Sequence, residues 1–93
     1  MKSLIYPTVN LNGTSKAQLV EQLMEVMNAL RLTEKAMAEA SPNGRDYQNS
    51  PMTGENGVYA AQDAWNERRQ MIAKLGQEIE QYAFHISQQK GGR

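Results

Sequence analysis

The chain has 93 residues, ten Lys and Arg against ten Asp and Glu, and no cysteine. One domain of this length buries only a modest core. Zero net charge argues against general binding to nucleic acid or anionic lipid, and the absence of thiols excludes disulfides, thiolate catalysis and Cys-based zinc or iron–sulfur sites. No apolar run approaches the roughly 18 residues of a membrane span, and MKSLIYPTVNLNG lacks the continuous apolar stretch of a secretory signal, so a cytoplasmic protein is expected.

The first 13 residues read as an extended arm, because Pro7 and Asn10 oppose helix. Ser15 followed by Gln18 fits a capping box, with Thr14 as a rival cap. A first helix is therefore expected over residues 14–40, its apolar stripe formed by Leu19, Leu23, Val26, Leu30 and Met37 and widened by Val20, Met27 and Ala38. Pro42 forces Ser41 out of the α region and ends it.

Residues 41–57 are rich in turn-formers and predict a long loop, and a second helix is expected over residues 58–88, with a short tail at 89–93. Val58, Ala61, Trp65, Arg68, Ile72, Leu75, Ile79, Tyr82 and Ile86 alternate in steps of three and four, a heptad seam whose only charged member is Arg68. Gly76, inside this helix, suggests the close approach of another helix. Two seams joined by one loop predict an all-α antiparallel hairpin. Placing Met37 opposite Ala61 sets Leu30 near Arg68, Val26 near Ile72 and Leu23 near Leu75. Glu34 then falls within about one turn of Arg68, and a Glu34–Arg68 ion pair would fix the register. In that register the second helix overhangs the first at its C-terminal end. Leu4, Ile5, Tyr6, Val9 and Leu11 of the arm would cover Tyr82, Phe84 and Ile86.

Met24, Leu32, Met71 and Phe84 fall outside both stripes. A hairpin alone buries too little to be a well-behaved monomer, so these residues predict self-association into a helical bundle, most simply a dimer. Exchange of the arm between subunits is a variant of that arrangement. Scattered surface hydrophobes are the plainer alternative.

Support for catalysis is thin, and the chain is not expected to be an enzyme. His85 is the only histidine and Glu78 lies seven residues before it, too far for a shared metal. No nucleophile-elbow or glycine-rich phosphate motif occurs, so no cofactor or metal is implied. Carboxylate pairs of Glu34 or Glu39 with Asp63 or Glu67 do not stand out from solvated helix faces. Asn12-Gly13-Thr14 is formally a glycosylation sequon, and in a cytoplasmic protein it is only a turn before a helix.

The loop carries the candidate site. Asn43 or Gly44 can take positive φ in a tight turn. Arg45, Asp46 and Tyr47 then offer a forked cation, an acceptor and an aromatic face in succession. The helix that follows presents unpaired N–H groups, with Tyr59, Trp65, Arg68 and Arg69 along its first turns. This set suits a small anionic, nucleotide-like ligand: Arg and the helix terminus for phosphate, a Tyr ring for stacking. Two alternatives stay open. The residues could pin the loop to its own hairpin, or the loop could contact a protein.

The runs NLNGTS, ALRLTEKAMAEASPNGRDYQ and AWNERRQMIAKLGQEIEQYAFHI resemble short helical-hairpin proteins of tailed phages and prophages. The similarity spans most of Asn10 to Ile86, and its most specific part is Pro42 to Tyr47. The resemblance implies an accessory, non-catalytic role in the host cytoplasm, such as blocking or sequestering a component of host defence. Arg45, Asp46 and Tyr47 would inherit any function of the shared motif. The leading expectation is a protein that binds and sequesters a small anionic, nucleotide-like ligand such as a host immune signal; a protein–protein inhibitor or adaptor acting through the helix surface and loop, or a virion or assembly component, is the alternative.

Overall fold

A computed structural model describes residues 1–10, 13–47 and 54–89, excepting the side chains of residues 47 and 54–56. Leu11, Asn12, the loop tip at 48–53 and the tail from Lys90 lie outside the described residues. The chain forms helix α1, Lys16–Glu39, a 3₁₀ turn, Gly44–Tyr47, and helix α2, Gly54–Ser87, with no strand among the described residues. The protein is thus all-helical, a hairpin preceded by an arm without regular structure. It is a rod, with extents of 61 × 23 × 16 Å.

Of the two candidate caps, Ser15 starts α1. Its Oγ accepts from the Gln18 N–H at 3.2 Å, filling one of the helix's orphan donors. The Ser15 hydroxyl also lies 3.2 Å from Gln18 Oε1, to which it donates. The other end of α1 is closed by α2. Trp65 Nε1 donates to the Met37 carbonyl at 2.7 Å, and Gln62 Nε2 donates to the Pro42 carbonyl at 3.1 Å. At the far end, Lys16 Nζ donates to the Gln89 carbonyl at 3.1 Å. The start of α1 therefore meets the end of α2, and the helices run antiparallel.

These bonds correct the expected register. Met37 lies level with Trp65 rather than Ala61, about one helical turn along α2. The hairpin is flush where Lys16 meets Gln89, instead of overhanging there. α2 also begins at Gly54, one turn before the expected start. Residues 54–57 contain two glycines and look like loop by composition, yet they continue the helix.

The seam itself is rotated. Lys16, Leu19, Val20, Leu23, Met27, Leu30, Glu34 and Met37 are the half-covered residues of α1, while Val26 is 43% exposed and Ala38 is also exposed. Along α2 the covered track is Val58, Ala61, Trp65, Arg69, Ile72, Gly76, Ile79, Ala83 and Ile86. Three of the expected members are displaced: Arg68 is exposed, Leu75 is 40% exposed, and Tyr82 turns toward the arm. The expected and observed tracks share Val58, Ala61, Trp65, Ile72, Ile79 and Ile86, and alternation of three and four fits both. Hydrophobicity favours Leu75 and Tyr82. Close packing of two helices favours the small Ala83, which is nearly buried, over Tyr82, whereas Leu75 leaves the track for the arm side although Gly76 has open space around it.

Arg68 therefore does not meet Glu34. It forms an exposed contact with its neighbour Glu67 at 3.5 Å and donates to the Ala64 carbonyl at 3.0 Å. Such a solvated ion pair contributes little. Arg69 instead shares a polar recess with Glu34.

The arm lies on the α2 face that carries the displaced residues. Met1, Lys2 and Ser3 flank Met71 and Leu75. Tyr6 packs edge-on against Tyr82, with ring centroids 5.3 Å apart, and lies 4.8 Å from the His85 ring. The Gln89 amide clasps the arm from both sides, accepting from the Val9 N–H and donating to the Pro7 carbonyl, each at 2.8 Å. Ile86 is fully buried and Ala83 nearly so, but Phe84 stays 64% exposed, so the arm covers only part of what it was expected to cover.

Gly76 has open space around it. A Cβ added there would meet nothing within 4 Å. Gly76→Ala should thus raise the unfolding free energy by about 1 kcal/mol through helix propensity alone. Denaturant melts read this directly. A loss of stability would show that a helix does approach Gly76 in solution.

Candidate functional site

The 3₁₀ turn is built by Asn43. Its Oδ1 accepts from the Arg45 N–H at 3.0 Å and its carbonyl accepts from the Asp46 N–H at 3.2 Å. This side-chain turn needs no left-handed backbone, and Gly44 adopts none. Arg45 and Asp46 are exposed, with no ion pair recorded for either among the described residues. The backbone of Tyr47 ends the turn. Its side chain lies outside the description, so the expected stacking surface is unplaced there.

The other expected site residues disperse over α2. Tyr59 is 56% exposed. Trp65 is half-covered and holds the end of α1 through its indole N–H, a structural use rather than a stacking platform. Arg68 points outward beside Glu67. Arg69 turns inward to the recess. The helix N-terminus is also one turn farther from these residues than expected. The structure therefore places Arg45 and Asp46 together and separates them in role from Trp65, Arg68 and Arg69.

Arg69 is the functional candidate whose setting the sequence hid, because the expected seam assigned that position to Arg68. Glu34, Asn66, Gln70 and Ala73 surround it in an open recess of about 240 Å³. Arg69 Nε is buried there and hydrogen-bonds to no protein acceptor among the described residues. An unsatisfied buried N–H is costly, so this position favours an acceptor.

The two sides of the hairpin differ. One carries the arm. The other is open, with shallow recesses running along its length between the helices. One, about 610 Å³, is bounded by Ala17, Val20, Glu21, Met24 and Asn28 of α1 and by Ser87 of α2. A second, about 220 Å³, lies between Met27 and Arg31 of α1 and Gly76 and Gln77 of α2. The polar Arg69 recess continues this row. Sequence periodicity could not reveal this asymmetry, because it depends on which side the arm takes.

Among the described residues, no group of His, Asp and Glu could hold a metal ion, and no helix is long and apolar enough to cross a membrane. Compared with profiles of known protein families, with curated proteins and with solved structures, the chain has no match.

Proposed function

We propose that this protein is a non-catalytic binding module that self-associates into a helical bundle and acts on a protein partner as an inhibitor or adaptor. The observation that carries this reading is unfinished burial. The chain exposes 7410 Å², whereas a compact monomer of 10.4 kDa exposes about 5,400 Å², an excess of roughly 2,000 Å². Its radius of gyration is 19.3 Å, against about 12 Å for a compact chain of this length. No residue of α1 is fully buried. Met24, Leu32, Met71 and Phe84 are 54–66% exposed. The resemblance to phage proteins supports an accessory role directed at a host component or at particle assembly.

Sedimentation equilibrium tests the first part of this reading. A mass of at least twice 10.4 kDa is expected at tens of micromolar protein; a clean monomer overturns self-association.

A second reading is capture of a small anionic, nucleotide-like ligand at the loop end, with sequestration of a host immune signal as its use. Exposed Arg45 and the unsatisfied Arg69 Nε favour it. A nucleotide panel should then raise the melting temperature, increasingly with ligand concentration. Arg45→Ala should remove that gain and leave the ligand-free melting point unchanged. No response to any nucleotide sinks this reading and leaves the first intact.

A further inference from the structure

We infer that a second copy of this chain packs antiparallel on the outer face of α1, about a two-fold axis at Asn28. The inference rests on the self-association proposed above and names the surface that performs it.

Ala17, Glu21, Met24, Asn28, Leu32 and Lys35 are exposed and spaced by three or four residues, forming one stripe along α1. The stripe borders the open side of the hairpin, and Ala17, Glu21, Met24 and Asn28 also bound the recess of about 610 Å³. The arm lies on the opposite side, against Met71, Leu75 and Tyr82, so it does not compete for this surface.

The stripe is self-complementary about Asn28. Met24 and Leu32 lie four residues to either side, both apolar and 54% and 66% exposed. Glu21 and Lys35 lie seven residues to either side, with opposite charge. Glu25 and Arg31, also exposed, lie three residues to either side and again oppose in sign. Arg31 Nη2 donates to Asn28 Oδ1 at 3.1 Å, which ties the guanidinium to the middle of the stripe.

A two-fold axis through Asn28 brings residues equally spaced from it together. Met24 of each copy then meets Leu32 of the other beside the large recess. Each Glu21 faces a Lys35, and each Glu25 faces an Arg31. Parallel packing in the same register would instead place Glu21 on Glu21 and Lys35 on Lys35, so the charges select the antiparallel contact.

The absence of cysteine makes single-cysteine crosslinking a clean test. Under mild oxidation, Asn28→Cys should form a covalent dimer. An equimolar mixture of Glu21→Cys and Lys35→Cys should form the mixed dimer far faster than either variant alone. Gln81→Cys, exposed on α2, serves as the control for random collision. In parallel, Glu21→Lys and Lys35→Glu should each weaken the dimer roughly tenfold, and the double reversal should recover it. All these positions are solvent-exposed, so circular dichroism should show unchanged helix content. If the unaltered protein sediments as a monomer, self-association itself fails, and this interface with it. If it sediments as a dimer while Asn28→Cys and the mixture crosslink no faster than Gln81→Cys, this interface alone is overturned.

Discussion

Ile86→Ala should destabilise the protein by about 2–4 kcal/mol, more than any other aliphatic truncation in the chain. Ile86 is the one side chain recorded with no exposed surface among the described residues, and only Ala83 approaches it. Its burial is built from several directions. It ends the inward track of α2, and the arm is clasped nearby through Gln89 and Tyr6. Removing the branched side chain leaves a cavity that these elements cannot close without loosening one another. Since small domains are stable by only about 5–15 kcal/mol, the loss is a large fraction of the total. It corresponds to a fall in melting temperature of roughly 10–25 °C for a chain of this size. Thermal and denaturant unfolding followed by circular dichroism at one fixed concentration would measure it, because association makes stability concentration-dependent. A change below about 0.5 kcal/mol would mean that Ile86 is not buried in solution. Leu32→Ala gives the contrast: at 66% exposure it should leave the hairpin's own folding nearly untouched.

The contrast between Ile86 and its neighbours also shows how far sequence patterning reaches. Trp65, Ile72, Ile79 and Ile86 are inward in both the expected and the observed track, since any helix carrying them must turn that stripe to its partner. Helix existence, the Ser15 cap and the hairpin topology follow from local signals of this kind. The members between them did not follow. Tyr82 against Ala83 is a choice that hydrophobicity decides one way and interhelical distance the other, while Leu75 goes to the arm side although a side chain at Gly76 would have open space. An unseen competitor, the arm, takes the larger residues. The same rotation moved the inward-facing cation from Arg68 to the half-covered Arg69 and dissolved the expected pair of Arg68 with Glu34. At the candidate site, composition identified Arg45 and Asp46 as a local exposed pair. It could not tell that Trp65 would act as a cap for α1, because that role depends on a register one turn away from the expected one.

Trp65→Phe should cost about 1–2 kcal/mol, although it keeps an aromatic ring on the inward track. The lost atom is Nε1, whose N–H reaches the Met37 carbonyl at 2.7 Å. Carbonyls in the last turn of a helix lack an intrahelical donor, and a half-covered one must find a partner elsewhere. The Ser41 N–H goes to the Ala38 carbonyl instead, and the Ser41 hydroxyl is a longer partner to Met37 at 3.4 Å. The indole is therefore the principal cap of α1 and also a crosslink between the helices at the end that carries the 3₁₀ turn. Trp65→Ala removes the ring as well and should cost about 3 kcal/mol, near the lower end for aromatic truncations because the site is only half-covered. Hydrogen exchange separates the two contributions. In Trp65→Phe, protection should fall at the amides of Ala40, Ser41 and Arg45 to Tyr47, while the Ile86 end stays as slow as in the parent protein. Uniform acceleration along both helices would instead show that Trp65 contributes only bulk. If the local pattern appears, the display of Arg45 and Asp46 depends on α1 being held at its C-terminal end. Any partner that reads those side chains would then be sensitive to the half-covered indole that holds this end of α1, and its affinity should drop in Trp65→Phe with Arg45 and Asp46 unchanged.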